Sequence, residues 1–69
     1  MKYSIEEIGE NSGEIWQIID RNPGITLFAI MKLTHLKKEE VLLAIGWLFR
    51  EVKIECYKEQ ISYCFKLKN

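Results

Sequence analysis

The hydrophobic pattern of this chain changes its period near Val52, and that change most limits the possible folds. Before it, apolar residues recur every three or four positions, as they do along one side of an α-helix. After it, Val52, Ile54 and Cys56 alternate with polar or charged residues, and a second alternating segment runs from residue 61 to residue 67. Such alternation predicts a β-hairpin with one buried face. The sequence therefore predicts an α+β chain in which helices precede a C-terminal hairpin.

Local signals predict where the first helix begins and ends. Ser4 and Glu7 have the S-x-x-E spacing of a capping box, which opens a helix. The apolar stripe of this helix comprises Ile5, Ile8, Ser12, Ile15, Trp16 and Ile19. The run Asn22-Pro23-Gly24 ends it, because a residue before Pro disfavours the helical conformation and Gly accepts a positive φ.

Two further helices are predicted before the hairpin. After a short extended link at Ile25, Thr26 is suited to cap a second helix that runs from Leu27 to about Leu33. Residues 34–37 form a turn, and the third helix runs from about Lys38 to Glu51. Its inner stripe is Val41, Ala44, Ile45 and Leu48. We expect this stripe to pack against Ile15, Trp16 and Ile19 of the first helix.

The hairpin register follows from the position of its turn. A two-residue loop at Glu59-Gln60 pairs Cys56 with Tyr63 and Glu55 with Cys64, and it keeps both apolar sets on one face. The two thiols then point to opposite faces and cannot form a disulfide. We expect Cys56 to be a small core residue, Cys64 to be partly exposed, and both to be reduced.

The order of these elements resembles that of the winged helix-turn-helix superfamily. The residues that carry the resemblance are Ile30, Leu36, Val41, Ile45 and Leu48, followed by the run from Arg50 to Ile54. The stretch from Gly24 to Leu48 also looks like a group of short, stand-alone bacterial winged-helix proteins of unassigned function. The resemblance implies three helices followed by a C-terminal β-hairpin wing, and DNA binding through the third helix. With only 69 residues, the chain is expected to form one domain, residues 1–69.

Three positions depart from the superfamily pattern. Ile30 stands where Ala is frequent, Lys37 stands where a Ser or Thr cap is common, and Val52 replaces the usual Gly before the wing strand. The first two departures predict a locally repacked helix pair. None of the three argues against the fold.

Charge and the outer face of the third helix limit how this chain could bind DNA. The net charge is zero, although residues up to Met31 include two basic and five acidic side chains, and the remainder includes eight basic and five acidic ones. The outer face offers Glu39, Leu43, Gly46, Trp47 and Arg50, of which only Arg50 is suited to reading base edges. Binding to DNA through its phosphates alone is the mode that these residues leave open. The candidate residues are Lys37, Lys38, Arg50, Lys53 and Lys58.

The third helix is apolar nearly all round, which is typical of a helix that is buried on more than one side. Leu42 and Phe49 flank the inner stripe, and helix one and the wing could cover them. Leu43 and Trp47 lie one turn apart on the outer side. We expect these two residues to form a protein interface, most simply that of a homodimer; the alternative is that they belong to the core.

Other functional classes have little support in the sequence. His35 is the single histidine, lies in the turn between helices two and three, and is expected to tolerate an unusual φ there. Two thiols and one imidazole fall short of the four ligands of a structural zinc site. We expect no enzymatic activity, no metal and no cofactor. The sequence shows neither a signal peptide nor an apolar run of membrane length, so a cytoplasmic address is expected.

Two functional hypotheses remain. The chain is either a transcription-associated regulator that contacts nucleic acid mainly through phosphates, or a protein-interaction and dimerisation module that keeps the winged-helix fold without reading DNA. Salt dependence separates the two, because affinity that rests on phosphate contacts falls steeply with salt.

Overall fold

A computed structural model describes residues 3–68, and the two ends of the predicted domain, residues 1–2 and 69, lie outside that range. The helices are α1 (Ile5–Arg21), α2 (Leu27–Thr34) and α3 (Lys38–Arg50). The strands are β1 (Ile25–Thr26), β2 (Ile54–Glu59) and β3 (Ser62–Leu67). We call the β2–β3 hairpin the wing. The predicted α+β winged helix-turn-helix architecture is confirmed.

The helix termini carry the predicted caps. The Ser4 hydroxyl accepts a hydrogen bond from the Glu7 N–H at 3.1 Å, and the Glu7 carboxylate accepts one from the Ser4 N–H at 3.3 Å. The Thr26 hydroxyl likewise accepts from the Ala29 N–H at 3.1 Å. At the end of α2, His35 has a φ of 60° and donates its N–H to the Met31 carbonyl at 2.9 Å. His35 is therefore the turn residue that the sequence predicts.

The core lies between α1 and α3 and is closed by α2 and the wing. Its buried members are Ile15, Ile19, Ile30, Val41, Ala44, Ile45, Leu48, Ile54 and Phe65. The predicted inner stripe of α3 is thus confirmed. Trp16, which is expected among the α1 partners of that stripe, is only partly buried and packs at the margin of the core.

The three strands form an antiparallel sheet in the order β1-β3-β2, and the predicted hairpin register is wrong. Cys56 pairs with Phe65 instead of Tyr63, and Cys64 pairs with Tyr57 instead of Glu55. The turn residues are 60 and 61, because Gln60 adopts the left-handed φ of 57° that a tight hairpin turn needs. Because the pairing moves by two residues, every side chain keeps its predicted face.

The predicted burial of the two cysteines is reversed. Cys64 is buried because it lies on the central strand, with Thr26 paired on one side and Tyr57 on the other. The Tyr57 hydroxyl lies 3.1 Å from the position that a Cβ on Gly24 would occupy, so its ring crosses the outer face of β3. Cys56 faces the helices but lies nearer the wing tip, beyond the core, and is exposed. Both thiols are free, as expected.

The end of α3 carries local backbone strain at Val52. Val52 donates its N–H to the Phe49 carbonyl at 2.9 Å, and Lys53 donates to the Leu48 carbonyl at 3.0 Å. This hydrogen-bond pair is the Schellman motif, which requires a left-handed residue after the helix. Val52 meets that requirement with a φ of 57°, in a region where a β-branched residue is an outlier. This need for a left-handed φ explains why the superfamily usually has Gly at this position.

Replacing Ile45 with Ala is expected to cost about 2–5 kcal/mol of unfolding free energy, because the side chain is only 4% exposed and its loss leaves a cavity. A chemical denaturation curve measures this cost. Leu33→Ala is the matched control, since Leu33 is exposed and surface substitutions change stability by about 0.5 kcal/mol or less. Equal midpoints for the two variants would contradict the core assignment.

Replacing Val52 with Gly is expected to stabilise the fold by about 1 kcal/mol, because Gly adopts positive φ without the steric cost that a side chain bears there. Little packing is lost, since Val52 is 61% exposed. Val52→Ala keeps a Cβ at the same φ and should gain less. A thermal melt of the three proteins ranks them, and a Gly variant less stable than the parent would disprove the strain.

In the folded protein, the exposed Cys56 should react with iodoacetamide and the buried Cys64 should not. Partial desolvation and the neighbouring Cys64 raise the pKa of the exposed Cys56 thiol, so it should react more slowly than a free cysteine at the same pH. Intact mass should show one adduct under native conditions and two in denaturant. A Cys56→Ser variant should show none until it is unfolded. Native modification of Cys64 in that variant would overturn the burial described above.

Candidate nucleic-acid interface

The N-terminal end of α3 is held in place by the turn that precedes it. The Thr34 hydroxyl donates to the Ile30 carbonyl at 2.8 Å and accepts from the Leu36 N–H at 3.2 Å. The Glu40 carboxylate then accepts the Lys37 N–H at 2.8 Å. This arrangement caps the helix through Glu40 and leaves the Lys37 side chain out of the cap.

The outer face of α3 has few groups that could read bases. Glu39, Leu43, Gly46 and Arg50 are exposed there, whereas Trp47 is half-buried. Helix-turn-helix proteins read bases mainly from the N-terminal part of this helix. The one suitable side chain on this face, Arg50, is the last residue of the helix. That direct base reading is disfavoured stays a prediction.

The five candidate cations are all exposed, and they lie in separate places. Lys37 and Lys38 are at the N-terminal end of α3, while Arg50 and Lys53 are at its C-terminal end, about 18 Å away at 1.5 Å per residue. Lys58 lies on the wing, where its Nζ is 5.7 Å from the centre of the Tyr63 ring. Within residues 3–68, the ion pairs join Lys53 to Glu51 at 3.6 Å and Lys66 to Glu55 at 3.7 Å.

Carboxylates near the start of α3 oppose an approaching phosphate. Burial, followed by the charges of Glu40, Glu39 and Glu7, raises the pKa of the Tyr3 hydroxyl. Each of these carboxylates therefore lies within electrostatic range of the Tyr3 hydroxyl. At the N-terminal end of α3, Lys37, Lys38 and the helix dipole favour a phosphate, and Glu39 and Glu40 oppose it.

The predicted protein interface is only partly available on the surface. Leu43 is 42% exposed on the outer face, while Trp47 lies by helical periodicity on the flank opposite Leu42 and Phe49. Whether Leu43 and Trp47 form a homodimer contact stays a prediction.

Sequence reasoning missed a larger apolar surface on the other flank of α3. Leu42 and Phe49, which α1 and the wing could have covered, are both exposed. Phe28, Ile61 and Tyr63 border them and are exposed as well. One residue in the sequence could have indicated this surface. Ile61 is apolar, and the correct register places it in the hairpin turn at the wing tip.

In the part of the chain that the structure describes, no cluster of three or more His, Cys, Asp or Glu side chains could hold a metal ion. Over the same residues, no helix has both the length and the apolar character needed to cross a membrane.

Comparison with known proteins points to one family and one fold. The family model described as "Winged helix-turn-helix domain (DUF2582)" matches residues 1–67. Among solved structures, FabT of Streptococcus pneumoniae in complex with DNA is similar, with a TM-score of 0.71 and 18% sequence identity. That similarity covers 99% of this chain and 46% of the FabT chain, so this chain spans less than half of FabT. No curated protein sequence matches.

Proposed function

Since the chain belongs to the DUF2582 family of winged helix-turn-helix domains, we propose that it is a transcription-associated regulator that contacts duplex DNA mainly through phosphates. The observation that carries the proposal is the separation of cations at the two ends of α3, with further cations on the wing side. The fold supports it, because the structurally similar FabT was solved in complex with DNA.

The spacing of these cations suits a duplex. The major groove is about 12 Å wide and admits an α-helix. With Lys38 and Arg50 about 18 Å apart, α3 can lie over the groove while its two ends contact phosphates on either side. Lys53 and Lys58 extend the same cationic set along the wing. The apolar Leu43 and the side-chain-free Gly46 then face the bases, so sequence preference is expected to be weak.

A second candidate function rests on the exposure of Leu43. A twofold contact through Leu43 and Trp47 would make the chain a dimerisation module and would keep α3 out of a major groove. The Leu43→Lys variant distinguishes the two functions, because it should abolish such a dimer and should strengthen phosphate binding. The two free thiols fit a reducing, cytoplasmic setting for either function.

Replacing both Lys53 and Lys58 with Glu tests the phosphate contacts. The double variant should bind two unrelated duplexes more weakly by the same factor, because neither lysine reads a base. The slope of log affinity against log salt should fall by about 1 for each lysine that no longer neutralises a phosphate. Fluorescence anisotropy between about 50 and 200 mM salt measures both effects.

The matched control carries the same change of net charge on another surface. Arg21 is the last residue of α1, and Lys66 lies close to Asp20 and Pro23 at that end of the molecule. The Arg21→Glu, Lys66→Glu variant should lose much less affinity than the wing variant. If both variants lose affinity equally, the contacts are not where we propose. If the unaltered chain fails to bind duplex DNA at low salt, the proposed function is wrong.

A further inference from the structure

An open apolar groove lies between α3 and the inner face of the wing. It consists of two adjoining hollows of about 490 and 230 Å³ that share Leu27, Leu42 and Tyr63 as lining residues. The larger hollow extends to Phe28 and Ile61, and the smaller extends to Phe49 and Cys56. We call this feature the wing groove.

The wing groove gathers much of the exposed apolar surface of the chain. Phe28 is 67% exposed and Ile61 is 90% exposed, and Leu42, Phe49 and Tyr63 are also exposed. Single apolar side chains on a surface are ordinary, whereas a contiguous group marks a binding surface. A surface of this kind gains free energy when a partner covers it.

The charged side chain that lines the wing groove is basic. Lys38 lines the larger hollow, and neither hollow has a carboxylate among its lining residues. The Lys32 Nζ lies 5.7 Å from the centre of the Phe28 ring, and the Lys58 Nζ lies 5.7 Å from the centre of the Tyr63 ring. Cation–π contact keeps both ammonium groups beside the apolar floor. The wing groove therefore presents an apolar floor with a basic rim.

These charges and the position of the groove argue against two simple occupants. A second copy placed groove to groove would bring two sets of basic side chains, Lys32, Lys38 and Lys58 from each copy, into one interface, and like charges across an interface are costly. A strand added to the free edge of β2 would extend the sheet in its own plane, leaving Leu42 and Phe49 uncovered.

We propose that the wing groove binds an acidic amphipathic helix of a partner protein. Apolar side chains at positions i, i+3 or i+4 and i+7 of that helix enter the two hollows, as in other helix-in-groove complexes. Its carboxylates face Lys32, Lys38 and Lys58 on the rim. This interaction goes beyond the proposed function and does not depend on it.

The test uses three synthetic peptides and the full chain labelled with nitrogen-15. The first peptide is a helix with Leu at i, i+3, i+4 and i+7 and Glu at its polar positions. The second has Lys in place of each Glu, and the third has the composition of the first in an order that breaks the helical spacing. The acidic helix should shift the amide resonances of Phe28, Leu42, Phe49, Cys56 and Tyr63. It should bind at least about tenfold more tightly than either control, a difference of about 1.4 kcal/mol.

Variants of the chain locate the site. Ile61→Asp places a negative charge at an exposed turn residue and should weaken binding of the acidic helix by about tenfold or more. Leu33→Asp makes the same change at an exposed residue outside the groove and should have little effect. Lys58→Glu should weaken binding of the acidic peptide and strengthen binding of the basic one. General misfolding would not produce that reversal.

Three outcomes would overturn the proposal. One is equal affinity for the acidic and basic helices, and another is a set of shifted amides that lies outside the wing groove. The third is a shift of the groove amides with protein concentration alone, which would assign the groove to a second copy of the chain. No DNA is present in this experiment, so its failure is distinct from a failure of the proposed function.

Discussion

The burial of one helix stripe controls most of this structure. Val41, Ala44, Ile45 and Leu48 of α3 are buried against α1, and within residues 3–68 they belong to a single hydrophobic core. The wing joins this core through Ile54 and Phe65, which lie in the half of the hairpin nearest α3. The other half of the hairpin lies beyond the buried core, and there Ile61 and Tyr63 stay exposed next to Phe28 and Leu42. The wing groove is a direct consequence of that short core.

The placement of α3 also divides its surface between two possible partners. Its outer face, with Leu43 and Arg50, is the side that a duplex would meet, while its flank, with Leu42 and Phe49, faces the wing groove. Lys38 lies at the start of α3 and Lys58 on the wing, so both residues belong to both of the proposed surfaces. If the proposed function holds, an acidic partner helix and a DNA phosphate compete for these two side chains.

Two left-handed residues set the geometry of the wing. Val52 ends α3 and turns the chain toward β2, and Gln60 closes the hairpin one residue later than the sequence predicts. The sequence offered no Asn-Gly or Asp-Gly signal at that turn, and an alternating pattern fits equally well when the pairing moves by two residues. The faces of the strands were therefore predictable, but the cross-strand partners were not. The burial of Cys64 was missed for a related reason, since it depends on Tyr57 and on the two-residue β1 beside the central strand.

Periodicity and capping residues in the sequence were sufficient to predict three helices, a hairpin and the inner stripe of α3. Those features depend on interactions between residues that are close along the chain, or on a repeat that one segment shows by itself. Ser4, Thr26 and His35 take their predicted roles because a cap or a turn is built within a few residues. The tertiary structure alone decided which apolar residues stay uncovered, because exposure depends on what the rest of the chain can reach. Leu42, Phe49 and Ile61 are apolar, as core residues are. They stay at the surface because the rest of the fold does not cover them.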